Sequence, residues 1–341
     1  SDQKLSIKKT LLNIPKIIKT IKKNSTQLIK IINTVKPDMI VTDSVYAFPG
    51  IKKFNIPITI SDNASSDSTE MIVKKWQKEF HLISYYCNTK NIGYDKNVLS
   101  VLGHSKTKYT WLMGDTYFIS IELLKKVLLE IKKFENLDFL VVNLENMIRN
   151  TLSQVYTDQN RVLSDLGGVM TCLSCLIYHK KVINSNIDNL NHSSAFIHLE
   201  MILNYISNKN FKAAWIADYS VKSLKHPTIK KTNWSHKQDV LEIGFKKWVD
   251  FISSLPTTYS TKDKQNCIRS FGKLSKLGTL RGFLLIRMRG HLTLASYEKY
   301  KAEIDLVRTI PSFLVRLIIL VPSAFLKFCF NLIIKIVNLK S

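Results

Sequence analysis

Residues 58–69 read ITISDNASSDST, residues 83–97 read ISYYCNTKNIGYDKN, and residues 108–118 read KYTWLMGDTYF. Each stretch is an apolar, strand-like run that ends in polar residues, and segments with helical periodicity separate the three. This alternation predicts an α/β fold with a mainly parallel central sheet. Open α/β sheets bind ligands at the carboxyl ends of their strands, so we expect the three polar turns to meet at one site.

The composition of the chain limits the classes of partner. The 341 residues are 45% hydrophobic, which allows a packed core, and the formal net charge is +24. Such a charge suggests nucleic acid, an anionic membrane surface or an anionic substrate as a partner. The sequence contains no RNP-like aromatic motif, zinc finger or helix-turn-helix pattern, so nucleic acid is not an expected partner.

The pattern divides the chain into three expected parts. Residues 1–36 are a basic amphipathic helical segment, residues 37–225 carry the α/β domain, and residues 226–341 are helical. The amphipathic segment either packs one face on the core or lies on a membrane. The pair Cys172 and Cys175 is interpreted as two packing residues rather than a zinc or redox site, because a second ligand pair is missing.

The tail at residues 309–339 is strongly apolar and has cations but no acid after Asp305. Arg316 and Pro322 interrupt it, so it contains no clean apolar span of about 20 residues. We expect it to associate with a membrane as helices lying in the interface, and a buried core helix is the alternative.

The first polar turn follows the strand at residues 58–62. The Asp62 carboxylate can accept a hydrogen bond from a nucleobase N–H or a ribose hydroxyl, and the cluster that contains Asn63 and Asp67 can cap the next helix. Simple capping is the alternative for the whole cluster.

The other two turns follow the next two strands. Gly93 lets the backbone turn tightly toward a ligand, and Asn91 and Asn97 flank it. Asp115 can hold Mg²⁺ or Mn²⁺ bridging a diphosphate, or it is an ordinary turn aspartate.

In this order the three turns resemble the N-terminal half of family 2 glycosyltransferases of the GT-A fold, and within them an abequosyltransferase-like group of bacterial surface-polysaccharide enzymes. The matching positions are residues 60–69, then Asn91, Gly93, Asp95 and Asn97, then Trp111, Leu112, Gly114 and Asp115, and a later segment at residues 193–200. The resemblance implies that the donor nucleotide is bound by Asp62, Asn63, Asp67, Asn91, Gly93, Asn97 and Asp115.

One departure from the family pattern concerns the metal. Relatives carry an acidic triplet where this chain has Asp115-Thr116-Tyr117. Either Asp115 alone anchors a weak Mg²⁺ or Mn²⁺ site, or the metal is dispensable, or the protein is inactive. In the second case, Lys96 and Lys225 are candidates to offset the diphosphate charge.

A second departure lies upstream. Residues 36–44 read KPDMIVTDS, and the connection to the next strand is short. This stretch either replaces the first βα unit of the family or derives from a GT-B-like domain. Asp43 is a candidate nucleotide contact only in the first case.

The resemblance also implies a general base near a late helix. Glu200 and His198 are the candidates for removing the acceptor proton, and Asp165 is a weaker one. The alternatives are surface placement for Glu200 and a packing role for His198.

The expected activity is transfer of a sugar from a nucleotide-diphosphate donor to a lipid-linked saccharide in bacterial O-antigen, lipopolysaccharide or capsule synthesis. The expected location is the cytoplasmic face of the inner membrane, where juxtamembrane cations meet anionic lipid. The alternative is a non-catalytic paralogue that binds a nucleotide or a partner enzyme.

Overall fold

The computed structural model describes residues 38–42 as backbone only, and residues 55–149, 151–185, 190, 194–224 and 237–338. The predicted amphipathic segment at residues 1–36 and the candidates Asp43 and Lys225 lie outside the described residues.

Four parallel strands form one half of a nine-stranded sheet, in the order β3-β2-β1-β4. They are β1 (Asp38–Thr42), β2 (Ile58–Asp62), β3 (Ile83–Cys87) and β4 (Tyr109–Met113). β2 and β4 are buried along their whole length, as expected for parallel strands that are covered on both faces.

The mixed half of the sheet continues from β4 in the order β8-β6-β9-β5, with β7 paired to β9. Its strands are β5 (Tyr117–Phe118), β6 (Phe139–Leu144), β7 (Gln154–Tyr156), β8 (Leu176–His179) and β9 (Ala213–Ser223). β8 is antiparallel to both β4 and β6, so β4 and β6 point the same way. The predicted α/β class is confirmed, with a sheet that is parallel in one half and mixed in the other.

The position of β1 addresses the upstream departure from the family pattern. Met39 pairs with Ile58 of β2 on one side and with Trp111 of β4 on the other. β1 therefore lies inside the parallel half and serves as the first strand of this sheet. The arrangement favours replacement of the family's first unit over a separate GT-B-like piece.

Among the described residues before residue 210, six helices pack around the sheet. They are α1 (Thr69–Glu79), α2 (Tyr94–Gly103), α3 (Ile121–Lys133), α4 (Gln159–Met170), α5 (Lys180–Ile183) and α6 (Ile197–Ile206). α3 begins where the Ser120 side chain accepts from the backbone N–H of Leu123, and α4 where Asp158 caps the N–H of Asn160. These caps fix where the two helices begin.

The C-terminal region is helical, as predicted. A π-helical turn (Glu242–Lys247) precedes α7 (Trp248–Ser254), α8 (Thr261–Leu274), α9 (Leu280–Met288), α10 (Leu294–Lys299), α11 (Lys301–Val307), α12 (Ser312–Leu320) and α13 (Ser323–Asn338). The predicted domain boundary at residue 225 lies outside the described residues and stays a prediction.

Helix α8 packs tightly against α4 of the sheet domain. A side chain on Gly167 would collide with the Sγ atom of Cys267, and one on Gly168 would lie 2.9 Å from a methyl group of Leu274. The Gly167-Gly168 pair therefore permits a close helix–helix approach. It makes the C-terminal helices continuous with the core of the sheet domain.

Among the helices described, none is by itself long and apolar enough to cross a bilayer. Residues 312–320 and 323–332 meet the criterion only when taken together, and they are bent by 91° at their junction.

Candidate active site

The three polar turns lie at one edge of the sheet. Asp62 ends β2, Asn88 follows β3 and Gly114 follows β4. These strands run in parallel, so all three residues lie at the carboxyl edge. β1 separates β2 from β4, which places the first and third turns about 10 Å apart at the usual spacing between strands. That separation matches the scale of a nucleoside diphosphate.

Asn63 joins the first turn to the second. Its Oδ1 atom accepts from the backbone N–H of Ile92 at 2.9 Å, and its Nδ2–H donates to Oδ1 of Asn91 at 3.0 Å. Asn91 Oδ1 also accepts from the backbone N–H of Gly93 at 2.9 Å, where φ is 85°. The predicted site residues Asn63, Asn91 and Gly93 are therefore in one hydrogen-bonded unit, and the positive φ explains why glycine is needed.

Asn97 forms the buried part of the same hydrogen-bonded unit. It is buried in the first turn of α2, and its Oδ1 atom accepts from Ser61 Oγ at 2.7 Å and from Asn88 Nδ2 at 3.0 Å. Asn88 Nδ2 also lies 3.3 Å from Asn63 Oδ1. We call Ser61, Asn63, Asn88, Asn91 and Asn97 the asparagine clasp.

Asp62 is buried under the clasp, with 1% of its surface exposed. Its carboxylate accepts from Tyr85 OH at 2.6 Å and from the backbone N–H of Ser65 at 2.8 Å. Burial pushes the pKa of Asp62 upward, but these hydrogen bonds outweigh that effect and leave the pKa below its ordinary value. Asp62 is ionised at neutral pH and fixes its own turn; its contact with a donor stays a prediction.

Asp67 is exposed and accepts from the side chain and the backbone N–H of Thr69, which begins α1. The hydrogen bonds from Thr69 lower the pKa of this carboxyl group. These contacts fit the capping role that the sequence left open. A donor contact by Asp67 stays a prediction.

The third turn rests on the segment before β8. Ser174 Oγ accepts from the backbone N–H of Gly114 at 2.9 Å, and the Ser174 carbonyl accepts from the Trp111 indole at 2.9 Å. Asp115 is exposed at the tip of this turn. The following residues enter β5, where Tyr117 pairs with Ser223 of β9 and its hydroxyl contacts Cys172.

Thr116 and Tyr117, the two non-acidic residues of the triplet, have a structural role in the sheet. The Thr116 carbonyl accepts from the backbone N–H of Leu224 at 2.8 Å, so this segment is held as an edge strand of β9. Glu145 also lies at this end of the sheet, and its Oε1 atom accepts from the backbone N–H of Ser223 at 3.0 Å.

These donors do not make up a protein-held metal site. Within residues 55–149, 151–185, 194–224 and 237–338, no three His, Cys, Asp or Glu side chains are grouped to hold an ion. Mg²⁺ is commonly held by one or two carboxylates with substrate phosphates supplying further oxygens. Asp115 supplies only one protein ligand, which is fewer than a dedicated metal site needs. We therefore assign no step to a metal.

Helix α6 is attached to the start of α2 by two contacts. The backbone N–H of Ala195 donates to Oδ2 of the buried Asp95 at 3.0 Å, and Tyr94 OH lies 3.0 Å from Nδ1 of His198. Ala195 has a φ of 64°, a left-handed conformation that alanine adopts at a cost. The strained entry to α6 is thus fixed directly beside the clasp.

His198 itself is buried, and its second nitrogen lies 3.1 Å from the carbonyl of Thr171. Burial lowers its pKa to about 4, so the ring is neutral at pH 7. With Tyr94 and Thr171 on its two nitrogens, His198 has no lone pair directed at a substrate. The geometry favours the packing role over the role of a base.

Glu200 is buried in the first turn of α6, two residues after His198. Two residues advance an α-helix by about 200°, so Glu200 leaves the helix on the side away from the Tyr94 contact. Asp165 lies on exposed α4 surface and accepts from Tyr156 OH at 3.1 Å. The assignment of Glu200 as a base stays a prediction.

Sequence reasoning missed the residues that link the turns: Ser61, Tyr85, Asn88 and the structural role of Asp95. Asn88 carried a usable signal, because it is the first residue after β3 and so lies at the carboxyl edge. Tyr85 carried none, since only the register of β3 against β2 brings it to Asp62.

Residues 41–184 match the profile of the family described as Glycosyl transferase family 2. The abequosyltransferase RfbV of Salmonella typhimurium (strain LT2) is 39% identical over 66 residues, which cover 18% of this chain and 20% of RfbV. The match therefore spans about a fifth of that relative's length.

Two solved structures illustrate the similarity in fold. S. aureus TarS 1–349 in complex with UDP has a TM-score of 0.48 and 15% identity, covering 80% of this chain and 89% of TarS. The mannosyltransferase PcManGT from Pyrobaculum calidifontis, in complex with GDP-Man and Mn²⁺, has a TM-score of 0.48 and 11% identity, covering 80% and 83%. Residues 41–184 are therefore similar to family 2 glycosyltransferases, and most of the sheet described above lies within this matched stretch.

Proposed function

We propose that this protein transfers a sugar from a nucleotide-diphosphate donor, bound at the carboxyl edge of β2, β3 and β4, to a saccharide acceptor. The observation that carries the proposal is the asparagine clasp, which joins two turns of the matched domain into one ordered unit. The third turn extends the same edge and ends in the exposed carboxylate of Asp115.

The chain offers polar groups for such a donor along this edge. Helix α2 begins after Gly93, which provides no side-chain cap, so the backbone N–H groups of the first turn of the helix point toward the edge. A helix N-terminus is a favourable place for a phosphate group. Lys96 is exposed in the same turn and adds a cation, as the sequence suggested for this residue.

In the proposed reaction an acceptor hydroxyl attacks the anomeric carbon. A new C–O bond forms, the bond to the diphosphate breaks, and the nucleoside diphosphate leaves with the bonding electrons. The chain contributes by holding donor and acceptor in line and by stabilising the charge on the diphosphate. Glu200 is our proposed acceptor of the hydroxyl proton, because the contacts of His198 argue against that residue.

We propose a lipid-linked saccharide as the acceptor, in bacterial surface-polysaccharide synthesis of the O-antigen, lipopolysaccharide or capsule type. Two observations support this finer proposal: the relative named an abequosyltransferase, and the apolar, cation-rich C-terminal helices. The cytoplasmic face of the inner membrane is the matching location, since it is where cationic segments meet anionic lipid.

The proposal is tested with purified protein, a panel of radiolabelled nucleotide sugars and bacterial membrane extract. We expect label in the lipid fraction with one donor, a loss in Asp115→Asn and in Glu200→Gln, and normal transfer in Asp239→Asn. Asp239 is an exposed aspartate in the C-terminal region and serves as the matched control. The absence of both transfer and donor hydrolysis with every donor in the panel would overturn the assignment.

A non-catalytic nucleotide-binding paralogue is the second candidate, and the occupation of the acidic triplet by Thr116 and Tyr117 favours it. Titration calorimetry with UDP, CDP, GDP and dTDP, with and without Mn²⁺, separates the two. Nucleotide affinity that does not depend on Mn²⁺, together with the absence of turnover, would favour the paralogue. Turnover with one donor would exclude it.

A further inference from the structure

The last two helices expose an unusual number of large apolar side chains. Phe313, Leu317 and Leu320 project from α12, and Phe325 and Phe328 project from α13. Leu320 is 76% exposed and Phe328 is 64% exposed. We call these five residues the C-terminal apolar surface. Exposed patches of this kind mark interaction sites, because folded proteins otherwise keep large apolar groups dispersed or buried.

The surface is one face of an amphipathic arrangement. On α12, Phe313, Leu317 and Leu320 follow helical spacing on the outer side, while Val315 and Ile318 are buried against the body. On α13, the exposed Phe325 and Phe328 also share a face, Lys327 and Asn331 are exposed on another side of the helix, and Phe330 is exposed as well.

The bend between the helices is fixed to the rest of the protein. Nε–H of Arg287, on α9, donates to the Val321 carbonyl at the junction at 2.9 Å, and its Nη1–H donates to the Leu292 carbonyl at 3.0 Å. Pro322 follows and cannot supply a backbone N–H to continue α12. This contact anchors the 91° bend to α9. The two helices therefore present two separate apolar faces, which a single straight helix would not.

The charges around the surface select its occupant. Residues 306–341 contain five Lys or Arg and no Asp or Glu, and Arg316 and Lys327 are exposed on the two helices. A second copy of this chain would bring a like-charged surface, and the lysine-rich residues 1–36 would do the same. Anionic lipid headgroups above an apolar interior complement both the cations and the aromatic side chains.

We propose that the C-terminal apolar surface docks on an anionic lipid bilayer, with α12 and α13 lying in the interface and the sheet domain held above it. Phe313, Leu317, Leu320, Phe325 and Phe328 enter the acyl boundary. Arg316 and Lys327 remain at the headgroup level, as amphipathic cations do. The inference does not depend on the proposed transfer activity.

The test is sedimentation of the full chain with vesicles of phosphatidylcholine alone and of phosphatidylcholine mixed with phosphatidylglycerol. We expect binding to the mixed vesicles that weakens with added salt, and little binding to the neutral ones. The double variant Phe325→Ser/Phe328→Ser and the charge variant Arg316→Gln/Lys327→Gln should each weaken binding by about tenfold or more.

Controls make the result specific. Leu152→Ser, which removes a side chain that is 83% exposed elsewhere, and Met71→Ser on α1 should leave vesicle binding unchanged. Thermal melts and nucleotide calorimetry on the same variants show that the fold and the donor site survive, which separates this proposal from the proposed function.

Three outcomes would overturn the inference. The first is that the phenylalanine variant binds mixed vesicles as well as the parent does. The second is that neutral vesicles bind as strongly as anionic ones. The third is a self-association of the parent, seen by sedimentation velocity, that the phenylalanine variant abolishes, because the occupant is then a second copy.

Discussion

The asparagine clasp and the Asp115 turn lie at the same edge of the sheet, yet they are built differently. In the clasp, the carboxamide oxygens of Asn63, Asn91 and Asn97 each accept two hydrogen bonds from the protein. At the third turn the backbone is fixed through Ser174, and the Asp115 carboxylate is exposed. We propose a division of labour in which the clasp orders the turns of the proposed donor site, and Asp115 offers a carboxylate to the donor or to a divalent ion.

Replacing Asp115 with Asn should have the largest effect on activity and almost none on folding. The side chain is exposed, and Asn keeps its size and an acceptor oxygen, so the melting temperature should stay close to that of the parent. The carboxylate could hold a divalent ion that would offset the phosphate charge, or it could accept a hydrogen bond from the donor, so its removal should lower transfer by about 100-fold or more. Initial rates with labelled donor measure this loss. A variant that melts normally and transfers sugar at the parent rate would remove Asp115 from the site.

Replacing Asn97 with Ala should, in contrast, lower the stability of the protein. It leaves the buried Ser61 hydroxyl and the Asn88 amide without their shared acceptor. We expect the free energy of unfolding to fall by about 1–3 kcal/mol, the usual cost of such a loss. Urea denaturation measures it, with the exposed Asn266→Ala as the matched control. Equal stability of the two variants would mean that the clasp does not hold the turns.

Replacing Tyr85 with Phe tests the buried carboxylate under the clasp through its pH dependence. Because the pKa of Asp62 lies below its ordinary value, its stabilising contribution is present above that ordinary value and is lost as the pH falls through the folded-state pKa. The variant should lose about 1–2 kcal/mol at pH 7, and the difference from the parent should shrink as the pH falls below the ordinary pKa of an aspartate.

The neighbouring variant Tyr86→Phe is the control, since Tyr86 is more exposed and stacks on His104 instead. Chemical denaturation at the two pH values gives the comparison. A Tyr85→Phe effect that does not change with pH would show that the hydrogen bond to Asp62 is not its source.

Replacing Ala64 with Gly should have the smallest effect and should stabilise the protein. Ala64 has a φ of 63°, a conformation that glycine adopts without strain. We expect a gain of up to about 1 kcal/mol in the free energy of unfolding, reduced by the greater freedom of glycine in the unfolded chain. Ala217→Gly in extended β9 should lose stability in the same assay. Destabilisation by Ala64→Gly would show that the side chain has a packing role.

The sequence was most informative where function depends on local order. A polar residue directly after an apolar run marks the carboxyl end of a strand, and parallel pairing brings such ends together. The sequence placed Asp62 and Asp115 at the carboxyl edge for this reason, and their contact with a donor stays a prediction. The same logic would have found Asn88, which follows β3 directly.

The remaining features depend on contacts that are distant in sequence. β8 lies between β4 and β6 although it follows both in the chain, and no local pattern encodes that order. The choice between the two candidate bases was harder still, because His198 and Glu200 share a helix and only their contacts show which way each side chain points. The burial of His198 between Tyr94 and Thr171 comes from the packing of α6, not from its own neighbours in sequence.

The measurement that tests the central claim most directly is hydrogen exchange with mass spectrometry, with and without UDP, CDP, GDP and dTDP. If one donor pocket spans the edge, the nucleotide that binds should slow exchange together in residues 61–69, 88–97 and 113–117. Slowing confined to another surface, or to only one of these three segments, would contradict the account.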